Sequence, residues 1–356
     1  MTKWMEIRKG ADFQALAEKF HITPFTARLI RNKDIIGEQE IETYLHGGLK
    51  DLHPASLMKG VPEASALLTE KIQKGAKLRI IGDYDIDGVC AAYILLKGLS
   101  QAGALVDTDI PDRKKDGYGL NQDLIRRAFE AGVDTIVTCD NGIAAPAEIA
   151  YAKELGMTVI VTDHHELQET VPDADVIINP RQPDCPYPYK KLCGAAVAWK
   201  LVQELGTRFC GMQELLYGDL LMLAAFATVG DVMDLTGENR ILVKEGLKCL
   251  RKTTHPGMSA LIEVNELEQE RLGAYHIGFV LGPCINASGR LDTAKRALEL
   301  LDTKDRESAL EKAGKLKSLN DERKALTEKG VEEAVALIEG SDLKKDRVLV
   351  VYLPDC

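Results

Sequence analysis

The sequence predicts an α/β fold with a doubly wound parallel sheet flanked by helices, followed by a helical part and a long connecting helix. Three observations carry this. Between residues 77 and 179 short apolar runs alternate with helical patterns, the rhythm of βαβ crossovers. The helical patterns end at Gly103, Gly132 and Gly156, where left-handed C-caps are expected. Beyond residue 194 the apolar spacing turns helical throughout.

Taken in order, residues 1–55 read as short helices and loops without chemistry of their own, and a domain follows over 56–302. KLRIIGD (77–83) leads into the helical GVCAAYILLKGLSQAG (88–103). ALVDTDI (104–110) leads through a basic loop into NQDLIRRAFEAG (121–132). DTIVTCD (134–140) leads into PAEIAYAKELG (146–156), and MTVIVTD (157–163) into a turn and DADVIIN (173–179). Runs this uniformly apolar suit strands buried on both faces, as in a parallel sheet. GAAVAWKLVQELG, LYGDLLMLAAFATVGDVMDL and a run from about 240 to 301 continue as helices. The segment 303–341 is highly charged and helical without a break, the pattern of a connector. DRVLVVYLPDC (346–356) reads as one more strand, and 342–356 as the beginning of a second domain.

Composition narrows the functional classes. The chain has 356 residues, 45% hydrophobic and 28% charged, enough for a sizeable core and a deep pocket. Its start, MTKWMEIRKGADF, lacks the order of a signal peptide, and no apolar run approaches the roughly 20 residues that span a bilayer. A cytoplasmic protein with no membrane role is expected. The eight cysteines are scattered without a CxxC pair, so buried reduced thiols are expected rather than disulfides or a zinc site. A net charge of −10 argues against binding nucleic acid by bulk electrostatics and is compatible with clustered metal-binding carboxylates.

Three predicted strands end in aspartate: Asp83 in RIIGDYDIDG, Asp140 in IVTCDNG and Asp163 in VIVTDHHE. In an open α/β sheet, ligands bind beyond the carboxyl ends of the strands, so these three ends should face one crevice. Asp83, Asp85 and Asp87 alternate and should share one side of an extended turn before a helix that begins at Gly88. Any one strand-end aspartate is as often a helix cap as a ligand. Several in one crevice repel and lose hydration, so a divalent cation is the economical counter-charge. With Asp140, His164 and Asp231 from TVGDVMDL, the set is mostly carboxylate with one imidazole. That mixture suits manganese or magnesium, and so many carboxylates can hold two ions about 4 Å apart.

GDYDIDG, TCDNG, TDHHE and VGDVMDL match, in order, the signature blocks of the DHH phosphoesterase superfamily. PDRKKDGYGL, CGAAVAWKL and GPCINASGRLDTAKRALELL resemble its RecJ branch, bacterial single-strand-specific exonucleases. The resemblance implies hydrolysis of single-stranded DNA from the 5′ end to 5′-mononucleotides, in repair and recombination, with two Mn2+ or Mg2+ ions. It implies Asp83, Asp85, Asp87, Asp140, His164 and Asp231 as metal ligands, Asp140 as the bridge, and a metal-bound hydroxide as nucleophile. His165 would work on the scissile phosphate, and Asp163 would orient the histidines from behind. Arg113 and Arg290 would grip phosphate, and Tyr118 would stack on a base. Single-stranded DNA is the expected partner, with a single-stranded-DNA-binding protein and a helicase beside it. Ile86 stands where many relatives have alanine and should point away from the metals. Relatives continue into a second α/β domain and an OB-fold, while this sequence ends inside the expected strand. The competing expectations are a DHH phosphodiesterase on short oligonucleotides or cyclic dinucleotides, a manganese pyrophosphatase, or an inactive scaffold.

Overall fold

The computed structural model describes residues 5, 9–111, 113, 117, 119–341 and 346–353. Three short helices open the chain: α1 (Phe13–Phe20), α2 (Pro24–Asn32) and α3 (Glu38–His46). Asp12 caps α1 and Thr23 caps α2, with proline in its first turn. Phe20, Ile30, Ile35 and Ile41 form a small core of their own.

The α/β part follows the predicted alternation: α4 (Val61–Gln73), β1 (Lys77–Ile81), α5 (Ile86–Gln101), β2 (Leu105–Asp109), α6 (Gln122–Glu130), β3 (Thr135–Cys139), α7 (Pro146–Glu154), β4 (Thr158–Thr162) and β5 (Val176–Ile178). All pairings are parallel, in the order β2-β1-β3-β4-β5. The chain runs one way from β1 to β2 and the other way from β3 onward, so β1 and β3 flank the topological switch point. Gly103, Gly132 and Gly156 have φ of 88°, 73° and 78°, the left-handed caps expected there.

Alternation along the strands divides the core. Ile80, Val137 and Ile160 face α4, α5 and the later helix α8, while Ile81, Ile136 and Val161 face α6 and α7. Each fully buried aliphatic side chain contributes about 1.5–3 kcal/mol, so layers on both faces hold the sheet firmly.

Beyond the sheet the chain is helical: α8 (Gly194–Leu205), α9 (Gln213–Leu215), α10 (Leu221–Gly230), α11 (Gly237–Leu250), α12 (Pro256–Val264), α13 (Ala274–His276), α14 (Gly282–Leu291), α15 (Lys295–Asp302) and α16 (Arg306–Glu339). One π-turn, Leu216–Leu220, joins α9 to α10, and another, Ile277–Leu281, joins α13 to α14. Such bulges frequently accompany functional sites, and both lead into helices that reach the site below. Lys200 and Glu238, both fully buried, pair at 3.1 Å and join α8 to α11. No helix among the described residues is long and apolar enough to cross a membrane. The seven described cysteines are free thiols.

Two expectations need correction. Residues 346–353 form no strand, and Val348, Val350 and Tyr352 are at least 80% exposed. Strand propensity measures packing on a half-buried pleated surface, and this mostly exposed segment has no paired strand among the described residues. The second concerns DYDIDG, which is not an extended turn: α5 begins at Ile86, with Asp85 as its cap and Asp87 in its first turn.

Candidate metal centre

Each carboxylate reaches the crevice by a different local route. Asp83 follows β1 and is buried. The Asp85 carboxylate accepts from the amides of Asp87 at 2.9 Å and Gly88 at 3.0 Å, so the capping role holds here. Asp87 is fully buried and accepts from the first two amides of α8, Gly194 at 2.6 Å and Ala195 at 2.8 Å. The positive end of a helix thus steadies this carboxylate.

Asp140 extends the β3–β4 ladder by one bond, its amide donating to the Thr162 carbonyl at 3.0 Å. It then turns left-handed, with φ of 59°, a conformation that aspartate tolerates better than most residues. Gly194 lies against it, and a Cβ there would sit 2.7 Å from Asp140 Cβ. Asp231 ends α10, its amide donating to the Ala227 carbonyl.

Asp163 is buried too, and its oxygens are taken up by neighbouring donors. It accepts from the amides of Ile143 (2.9 Å), His164 (2.7 Å) and His165 (3.1 Å), and its Oδ1 lies 2.8 Å from His165 Nδ1. These contacts bend the chain out of the extended form after β4, and the two imidazoles do not point to opposite faces. Their ring centres are 4.5 Å apart with a tilt of 46°. His164 Nε2 lies 3.0 Å from Asp140, 3.5 Å from Asp87 and 3.9 Å from Asp231.

Three overlapping sets of donor atoms come within 4.8 Å: Asp83, Asp85 and Asp140; Asp87, His164 and Asp231; Asp140, His164 and His165. Asp140 belongs to two of them. Burial first, and then the charge of Asp87, hold the carboxyl groups of Asp140 and Asp85 above the usual range, Asp140 well above it. Burial, Asp87 and Asp85 push Asp231 up to about 7. Burial keeps His164 below its ordinary value, in the neutral form that binds metals. His165 is raised, chiefly by its hydrogen bond to Asp163. Burial pulls Asp163 upward too, but the bond and charge of His165 outweigh it and hold the acid low. Asp140 Oδ1, 3.0 Å from His164 Nε2 but outside hydrogen-bond geometry, and His164 Nδ1 are both buried without a hydrogen-bond partner among the described residues. Orphaned buried atoms, mutually repelling carboxylates and one neutral imidazole fit hard divalent cations.

Beside this group opens a cleft of about 320 Å³, lined by Tyr84, Asp85, Arg113, Gly230, Asp231, Val232, Asn286 and Arg290. The fold therefore brings Arg113 and Arg290 to one cleft next to the carboxylates, and the Arg113 guanidinium lies 5.3 Å over the Tyr84 ring. Tyr118 lies outside the described residues. Roomier cavities of about 390 and 460 Å³ lie at the N-terminal helices, away from this chemistry. Sequence reasoning missed Asn286, Tyr84 and the amide cradle at Gly194 and Ala195. Of these only Asn286 left a signal, standing four residues before Arg290 in a helical run and so on its face.

A parallel sheet of this order, with carboxylates and an Asp-His-His triplet at its strand ends, defines a DHH phosphoesterase domain. Residues 77–228 match the DHH family, N-terminal domain. The chain is 38% identical to the single-stranded-DNA-specific exonuclease RecJ of Bacillus subtilis (strain 168), over 98% of this chain and 44% of that protein. With RecJ of Escherichia coli (strain K12) the identity is 34%, over 98% and 61%. The crystal structure of exonuclease RecJ bound to manganese superposes with a TM-score of 0.73 at 36% identity, covering 81% of this chain and 71% of that one. RecJ from Thermus thermophilus in complex with Mn2+ gives 0.77 at 32%, covering 90% and 45%. The chain belongs to the RecJ family, and it spans about half the length of the curated relatives it matches.

Proposed function

We propose that this chain carries the catalytic core of a metal-dependent exonuclease that degrades single-stranded DNA from its 5′ end to 5′-mononucleotides, in repair and recombination. The observation that carries the reading is Asp140, shared between two sets of metal donors beside a cleft lined by two arginines. Asp83, Asp85, Asp87, Asp140, His164 and Asp231 would hold two Mn2+ or Mg2+ ions, and Asp140 belongs to two of the donor sets. When bound, such ions neutralise phosphate charge and acidify water.

The chain's own groups supply the rest. Arg113 and Arg290 match phosphate oxygens with planar forks and hold the strand's end beside the carboxylates. The exposed His165, raised above its ordinary value by its hydrogen bond to Asp163, offers a proton or a positive charge at the phosphate. Asp163 sets that ring's orientation. A cytoplasmic setting, with single-stranded DNA as substrate and a single-stranded-DNA-binding protein and a helicase as partners, belongs to this reading; the free thiols support a reducing compartment.

The test is digestion of long single strands labelled at the 5′ or the 3′ end, with Mn2+ or with chelator, alongside a dinucleotide. Metal-dependent early release of the 5′ label is expected. Early release of the 3′ label, or cleavage of the dinucleotide alone, would falsify the reading.

A further inference from the structure

Asn286 belongs to none of the donor sets, yet it touches both halves of the site. We propose that Asn286 is a two-ended binding residue: its side-chain oxygen fixes the start of α5, where Asp85 and Asp87 stand, and its amide NH2 is a third donor to phosphate beside Arg113 and Arg290. The inference rests on reading the cleft as a phosphate site.

The orientation of the amide follows from elementary chemistry. A backbone N–H only donates, so the Asn286 atom 2.7 Å from the Ile86 nitrogen is the oxygen. The NH2 is then the other end, and it has no partner among the described residues, on a side chain that lines the cleft with both arginines. Arg290 follows four residues later on α14, one turn along the same face, about 6 Å away by helical rise.

The docking of α14 on the loop is close enough to make this bond a positional constraint. A Cβ on Gly289 would lie 2.4 Å from the Tyr84 carbonyl oxygen, so the helix backbone rests directly on the loop. The Ile86 side chain, 1% exposed, enters the seam between α10 and α14. A Cβ would lie 2.5 Å from its Cδ1 on Gly230 and 3.2 Å from it on Gly282. Gly230 precedes Asp231, so one loop is gripped between the helix that ends in a donor carboxylate and the helix that carries Arg290. Asn286 is the polar tie in that grip, and it fixes how far the carboxylates stand from the arginine.

The test uses the whole chain, titrated calorimetrically with Mn2+ and, with Mn2+ present, with inorganic phosphate; KM and kcat on a 5′-phosphorylated single strand are measured in parallel. Asn286→Asp keeps an oxygen for the Ile86 amide but replaces the donor with an anion. It should hold Mn2+ at least as tightly as wild type while phosphate affinity falls and KM rises about tenfold or more, as for a lost hydrogen bond to a charged oxygen. Asn286→Ala removes both ends and should weaken Mn2+ about tenfold as well, as loss of a group that supports metal ligands does. If Asn286→Ala does not fold, Asn286→Ser, too short to reach the loop, replaces it. Wild-type phosphate affinity in Asn286→Asp overturns the donor role, and wild-type Mn2+ affinity in the truncated variant overturns the positioning role. Both titrations are independent of nuclease activity, so failure of the exonuclease reading would show separately, as a wild-type chain that binds both ions and cleaves no single strand.

Discussion

Two regions of the molecule bury carboxylates, and they do so in opposite ways. Glu238 accepts from Lys200 at 3.1 Å, from the Tyr187 hydroxyl at 2.6 Å and from the His53 amide at 2.7 Å, while Lys200 also donates to the His53 carbonyl at 2.6 Å. Burial draws the Lys200 ammonium below its ordinary range, and the pull of Glu238 opposes it. Charge and hydrogen bonds close upon themselves there, tying residue 53 to α8 and α11. At the strand ends Asp83, Asp87 and Asp140 are buried with Asp85 and Asp231 close by, and no lysine or arginine forms an ion pair with any of Asp85, Asp87, Asp140 and Asp231 among the described residues. A closed network fixes a fold; an open one is completed by something from solution. The difference between them marks the functional site more sharply than either cavity size or burial alone.

The comparison can be broken most directly at Asp140. Asp140→Asn removes the shared charge and keeps a residue that tolerates left-handed φ. If the proposed exonuclease reading holds, activity on single-stranded DNA should fall at least about a thousandfold, several kcal/mol of transition-state stabilisation. The thermal midpoint in chelator should stay level or rise, because a repelling buried charge has gone. A midpoint that drops by many degrees would mean that the open cluster also carries the fold.

Glu238→Ala should do the reverse. It strands a buried ammonium and should cost about 3–5 kcal/mol in denaturant unfolding, while Mn2+ affinity per folded molecule is kept. Replacing the pair together, Lys200→Met with Glu238→Leu, should recover most of that loss.

Cation and pH give a milder handle. Asp140, Asp85 and Asp231 have folded pKa values above their unfolded ones, so their contribution is full at low pH and is lost as pH rises through the folded values, near 7 for Asp231. In chelator the thermal midpoint should therefore fall between pH 5 and 8. Mn2+ at a hundred times its Kd should restore about 2.7 kcal/mol, since it binds the folded state. A midpoint that ignores both pH and Mn2+ would remove the case for an open cluster.

The smallest effect is expected at Asp163, which has partners of its own. Asp163→Asn weakens the orientation and charge of His165, and about 10- to 100-fold in kcat should be lost with Mn2+ affinity nearly unchanged. Loss of Mn2+ binding instead would place Asp163 among the ligands.

Much of this was legible in the sequence because its signals are local. Strand and helix alternation, the glycine caps and the aspartates at three strand ends follow from period, backbone freedom and the rule that ligands sit beyond the carboxyl ends. The error at 346–352 shows the limit of local signals: apolar alternation describes a willing strand, and pairing decides whether one forms. DYDIDG shows it too, since Asp85 caps the helix early and places Asp87 on its first turn, buried against the amides of α8.

The sequence by itself determined the strands, their crossover helices and the chemical character of the site, because short-range geometry and charge repulsion require them. Tertiary structure alone decided which atoms meet. The amides of Gly194 and Ala195 reach Asp87, Arg113 and Arg290 share a cleft, and the seam of Gly230 and Gly282 accepts Ile86, although these partners stand about 110 to 200 positions apart. Distances of that kind are set by packed helix backbones, and no pattern within one segment records them.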